Sequence, residues 1–169
     1  MLTLNQIKAR VIKGFLELKM TNIELFWHPV RSGIFEYGDF EGNEGYYVHV
    51  HPWLRQARSE VLIAGTAHEF AHIAKEINIG KSHTVRTLNR YHKSRGYRRR
   101  DEIETDLEVI NRGFGRELLC LESYRRNRRI HNGYGIPLES LRTIIQANGD
   151  LPHPLTYNDY IRYFGKGIS

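Results

Sequence analysis

The chain has one cysteine, Cys120, among its 169 residues, so it can form no intramolecular disulfide. A chain of this kind must hold itself together by apolar burial, and a reducing compartment is its natural setting. Long hydrophobic runs are missing as well. No stretch approaches the roughly 18 apolar residues that a membrane helix needs, and the first ten residues lack the apolar centre and cleavage site of a signal peptide. These gaps lead to the expectation of a soluble, cytoplasmic protein with no membrane attachment. Internal repeats, low-complexity segments and linkers are also absent, which suits a single domain over residues 1–169. The hydrophobic content of 40% excludes disorder along the whole chain.

Negative charge is lacking in one region. From His83 to Arg100 there is no acidic residue, while Arg86, Arg90, Lys93, Arg95, Arg98, Arg99 and Arg100 are basic. A second basic cluster is Arg125, Arg126, Arg128 and Arg129, and the whole chain carries a net charge of +6. Such clusters can attract nucleic acid, with Arg98, Arg99 and Arg100 as the candidate contacts. The plainer reading is a solvated face beside a loop.

The periodicity predicts a helix from about Leu4 to Lys19, with Thr3 and Gln6 as a capping box and Leu4, Ile7, Val11, Phe15 and Leu18 on one face. Strands are expected at Ile23 to Trp27, Ile34 to Tyr37 and Tyr46 to His51, the last ended by Pro52 or marked by it as an edge. Alternation places His49 and His51 together on one side of that third strand. A pair like this can bind metal, although a half-exposed strand face is the ordinary reading. A long helix follows from Ser59 to Ile79, with Gly80 as its stop. Asp101, with Glu104 three residues on, reads as the cap of a helix that buries Ile103, Leu107, Ile110, Phe114 and Leu118. Pro137 opens another helix, with Leu138, Leu141 and Ile145 inward and Gly149 after its end. Thr156 caps a last short helix that stops before Gly165. The fold class expected is a helix-rich α+β domain with a small sheet early in the chain. Cys120, set among Leu118, Leu119 and Leu121, reads as a buried hydrophobe.

The chemistry lies in Thr66-Ala67-His68-Glu69-Phe70-Ala71-His72-Ile73-Ala74. Residues four apart on a helix share a face, so His68 and His72 can meet one tetrahedral Zn²⁺. From the next position round, Glu69 can reach a water on the metal rather than the metal itself, and take its proton. Glu69 is the only charged residue from Val61 to Ala74. Two histidines and a glutamate on so apolar a helix are costly to bury unless something satisfies them.

This segment resembles the active-site helix of the zincin metallopeptidases, whose motif is flanked by uncharged residues, as Thr66, Phe70, Ala71 and Ile73 are here. Gly65 departs mildly from the Val or Thr often found at its position, and leaves room near the site. The resemblance implies a zincin-like domain, a zinc cofactor, and a peptide or protein substrate cut with Glu69 as general base. The metzincin class is excluded, because Lys75 and Asn78 stand where it needs a glycine and a third histidine.

The gluzincin pattern takes its third ligand from a later helix, and Glu102-Ile103-Glu104-Thr105-Asp106 is similar to it. On that resemblance Glu102 ligates the metal and Asp106 accepts the free ring N–H of His68. The stretch also resembles the ImmA/IrrE-like metallopeptidases, with Thr105 where those have alanine. The likeness covers the two motif helices. SprT-like zincins instead draw a third histidine from just after the motif helix, where this chain has His83, and another acidic residue also stays open. In zincins an edge strand before the motif helix pairs with extended substrate, and Tyr46 to His51 is placed for it. A donor for the developing oxyanion is needed too. His131 and Tyr134 are favoured for it by following the second motif helix, with Tyr97 and His92 as alternatives.

Overall fold

The computed structural model describes residues 2–30, 33–40, 45–80, 91, 93–130, 134–147 and 150–165. His83, His92, His131 and Gly149, each singled out by the sequence, lie outside the described residues.

Helix α1 (Leu4–Val11) begins at Thr3, whose hydroxyl accepts from the Gln6 amide while the Gln6 side chain accepts from the Thr3 amide. The helix expected as far as Lys19 ends at Val11 and gives way to 3₁₀ turns at Ile12–Gly14 and Leu16–Leu18. Phe15 leaves helical geometry (φ −125°, ψ 65°) and sets its ring 5.9 Å from that of Phe70 and 6.3 Å from that of Phe114. Tertiary packing of this aromatic outweighs continuation of the helix, and Ile7, Val11, Phe15 and Leu18 are all buried.

Strands β1 (Ile23–Trp27), β2 (Phe35–Asp39) and β3 (Tyr46–Val50) form a sheet in the order β1-β3-β2. β3 pairs parallel with β1 and antiparallel with β2, aligning Leu25, Val48 and Tyr37 across the sheet. The strand expected at an edge is therefore the central one, and β2 is an edge. Tyr46, Val48 and Val50 are buried, and β3 hydrogen-bonds a neighbour on each side. β3 also stops one residue short of His51. The His51 ring accepts from the Trp53 amide at 3.2 Å and caps a 3₁₀ turn, Pro52–Gln56. His49 lies stacked at 4.4 Å on both His28 and Tyr47.

Helix α2 (Ser59–Ile79) runs through the centre of the molecule, packed against α1, β2, β3 and the next two helices. Every residue from Val61 to Ala71 is buried, so this helix is enclosed on all sides rather than along one stripe, and only its C-terminal end, with Ile77 and Ile79, emerges. Gly65 is where the sheet comes closest: a methyl group there would run into the Phe35 ring of β2. The room left by this glycine is occupied by Phe35.

Helix α3 (Arg95–Val109) begins earlier than expected, capped by the Ser94 hydroxyl, which accepts from the Tyr97 amide at 3.2 Å. Asp101 is not a cap. It lies inside the helix, and with Glu104 it binds the Lys75 ammonium of α2. The pattern from Ile103 to Leu118 is also not one helix. A π turn at Ile110–Phe114 interrupts it, with Gly113 at φ 88°, a conformation that glycine adopts without strain. Helix α4 (Gly115–Asn127) continues beyond the kink and packs closely on α2. Helix α5 (Leu138–Gln146) follows Pro137 and buries Leu141 and Ile144, whereas Leu138 and Ile145 are half-buried. Helix α6 (Tyr157–Phe164) carries the reciprocal cap between Thr156 and Asp159. A single apolar core joins residues of α1, the sheet and all the later helices, so the fold is a helix-rich α+β domain. Among the described residues, no helix is long and apolar enough to cross a membrane.

Candidate metal centre

Helices α2 and α3 pack side by side, and the two motifs meet where they touch. His68 and His72 come from successive turns of α2, with their Nε2 atoms 3.3 Å apart. Glu102 of α3 sets Oε2 at 3.3 Å from His68 Nε2. One ligand atom from each of His68, His72 and Glu102 lies within 4.8 Å of the others. A tetrahedral zinc ion with bonds of about 2.0–2.1 Å needs ligand atoms about 3.3–3.4 Å apart along each edge. Two of the three pairs already stand at that spacing, and the donor set of two imidazoles and a carboxylate suits zinc.

The ring nitrogens facing away from this point are held by α3. Asp106 Oδ1 lies 3.1 Å from His68 Nδ1, while Asp106 Oδ2 accepts from the Ile136 amide at 2.8 Å. Thr105 donates its hydroxyl proton to the Asp101 carbonyl at 2.9 Å, which leaves its oxygen to accept from His72 Nδ1 over a longer 3.5 Å. With Nδ1 engaged on both rings, the Nε2 atoms are the ones left to serve as metal ligands. Tyr37 of β2 stacks flat on the His72 ring, 5.6 Å between centroids and 10° between planes, and covers it from the sheet side.

The electrostatics are those of a buried cation site. Burial opposes a charge on His68, but its hydrogen bonds to Asp106 and Glu102, together with their charges, outweigh that and raise its pKa well above the ordinary value. Burial and the neighbouring His68 charge pull His72 down to about 4, so its imidazole stays neutral. Burial pushes Glu102 up, yet the hydrogen bond and charge of His68 prevail and hold it ionised far below the usual carboxylate range. Glu69, 7% exposed, is pushed up to about 7, chiefly by burial. A carboxylate poised there can both accept and release a proton near neutrality.

Tyr91 was not singled out by the sequence, yet its hydroxyl donates to Glu102 Oε1. Only the fold brings it to α3, and no spacing rule marks it. Arg98 stacks over Tyr91, 4.8 Å from the ring centroid, and over Tyr134 at 4.3 Å. Tyr134 is thus joined to the site through Arg98 and Tyr91. Tyr97 sits in the first turn of α3. Cys120 is half-buried against the core.

Among the described residues, several arginines of the basic clusters are engaged within the protein. Arg98 stacks on two tyrosines, and Arg99 is half-buried. Arg100 bonds Glu104 at 2.8 Å and stacks on Tyr157. In the second cluster, Arg125 bonds the buried Glu122 at 2.6 Å, Arg126 reaches Glu139 and Arg128 stacks on Tyr124.

Comparison with protein-family models, with curated proteins and with solved structures finds no match to this chain.

Proposed function

We propose that this chain is a zinc-dependent hydrolase of the gluzincin kind, cutting a peptide or protein substrate. The observation that carries the reading is the meeting of His68, His72 and Glu102 ligand atoms within 4.8 Å, with His68 Nε2 at tetrahedral spacing from both His72 Nε2 and Glu102 Oε2, and Asp106 behind His68. His68, His72 and Glu102 would hold the ion, three protein ligands being the usual catalytic arrangement. A bound zinc ion supplies a Lewis acid and a water acidified toward neutrality. Glu69, adjacent to His68 and outside the ligand set, takes the proton of the attacking water and passes it to the leaving nitrogen. Its elevated pKa suits both halves of that transfer. Asp106 and Thr105 keep the two imidazoles in the ligating tautomer.

Substrate enters along β2 in this reading. It is the edge strand beside the motif helix, and Tyr37 joins it to His72. An extended peptide adds to such an edge by main-chain hydrogen bonds. Tyr134 is the described candidate for the oxyanion donor. The ImmA/IrrE-like resemblance favours an intracellular regulatory peptidase. A nucleic-acid partner is the second reading, and it has less to draw on, because Arg98, Arg100 and Arg125 are engaged within the protein.

Glu69→Gln tests the assignment. The variant keeps zinc and loses roughly 10²–10⁴-fold in peptide hydrolysis. Hydrolysis at the wild-type rate would remove Glu69 as the base.

A further inference from the structure

The two oxygens of Glu102 have different partners. Oε2 faces His68 Nε2 at 3.3 Å, and Oε1 accepts the phenol proton of Tyr91. The carboxylate is buried, so solvent does not compete freely for either oxygen. A carboxylate can hold a cation through one oxygen or clamp it with both. Here one of the two is already taken.

We propose that Tyr91 is a positioning residue which occupies Glu102 Oε1 and restricts the glutamate to a single metal bond through Oε2. The consequence is chemical. Two imidazoles and one carboxylate oxygen leave the fourth tetrahedral position of zinc to water, whereas a chelating glutamate would crowd it. Tyr91 thus keeps the place of the reacting water open while touching neither the ion nor the substrate. Its ring is fixed by the Arg98 guanidinium stacked 4.8 Å away, and Tyr134 stacks on that same guanidinium at 4.3 Å. This assigns Arg98 an internal role in the site. The inference rests on the zinc reading given above.

The experiment is X-ray absorption at the zinc edge on zinc-loaded full-length protein, wild type and Tyr91→Phe, with zinc affinity measured by competition against a chelator. Wild type is expected to show about four nitrogen and oxygen ligands. In Tyr91→Phe, which keeps the ring under Arg98, the freed Oε1 adds a further oxygen to the shell. Affinity holds or rises, while peptide hydrolysis falls by about 10–100-fold. A merely structural tyrosine would lower affinity and leave the ligand number unchanged, and that result overturns the proposal. A wild-type shell that already contains a chelating glutamate overturns it without any variant, so the test does not depend on the variant folding. Failure of wild type to take up zinc overturns the hydrolase reading itself, and this inference with it.

Discussion

Asp106→Asn changes one atom type at a buried position and separates the two tasks of this side chain. Both carboxylate oxygens are used, one facing His68 Nδ1 at 3.1 Å and the other accepting from the Ile136 amide at 2.8 Å. An asparagine has one acceptor oxygen and one NH₂ group, so one of the two N–H donors must face another donor. If the oxygen stays with Ile136, His68 is left without its acceptor and loses the tautomer that points Nε2 at the metal. If the oxygen turns to His68, the Ile136 amide is stranded in the interior. Either way the cost is about 1–3 kcal/mol. For a domain of this size that lowers the melting temperature by roughly 3–10 °C. Zinc affinity falls by about 10–100-fold, the usual effect of removing an outer partner of a ligating histidine. Space for relaxation is short, because a methyl group at Gly135 would already lie 2.5 Å from Asp106 Oδ2. Chelator competition gives the affinity, and calorimetry on zinc-free protein gives the melting shift. An affinity unchanged within about threefold, against that expected loss, would refute the link from Asp106 through His68 to the metal.

Other outcomes follow from the same geometry. Zinc must displace the proton that Asp106 and Glu102 stabilise on His68, whose pKa is raised, so below that pKa the affinity rises about tenfold per pH unit and levels off above it. Titration calorimetry in buffers of different ionisation heat, at a pH near neutrality, detects about one proton released per zinc, and a pH-independent affinity would contradict this. Gly65→Ala gains helix propensity of roughly 1 kcal/mol but forces a methyl into the Phe35 ring, a conflict of about 1–3 kcal/mol in a tight core. Chemical denaturation is expected to show net destabilisation, and zinc binding weakens as β2 and Tyr37 are pushed from His72. A fully stable variant would mean that the sheet yields freely there. The arginines 98–100 are predicted to give no tight, salt-dependent binding to DNA or RNA, since Arg98 and Arg100 are already engaged, and a steep fall of affinity with salt would reverse that view.

What could be read from the sequence divides along the range of the forces involved. Helix α2 was legible because its motif and its unbroken apolar content are local, and the first and last helices were legible at their caps, Thr3 and Thr156. The Glu102–Asp106 stretch stood out by its resemblance to the gluzincin pattern. Strand positions were legible to within a residue or two, but strand order was not, since the parallel pairing of β1 with β3 is decided between distant segments. Asp101 and Glu104 looked like a cap because acids at a helix start are favoured by its dipole. Their actual partner, Lys75, is 26 residues from Asp101 and beyond any local rule. The Gly113 kink escaped notice because Leu107 before it and Phe114 and Leu118 after it stay buried, which preserves the apolar pattern across the break. That Arg98, Arg100 and Arg128 stack on tyrosines lies beyond what a charge run reveals, and Tyr91 could be found only once the fold set it against Glu102.

The most direct test of the account is the metal content of purified wild type, His68→Ala and Glu102→Ala by elemental mass spectrometry. About one zinc per chain in wild type, lost in both variants while they remain folded, is the predicted result. Wild type that carries no zinc and takes up none when it is supplied would contradict the central claim, and so would full zinc retained in Glu102→Ala.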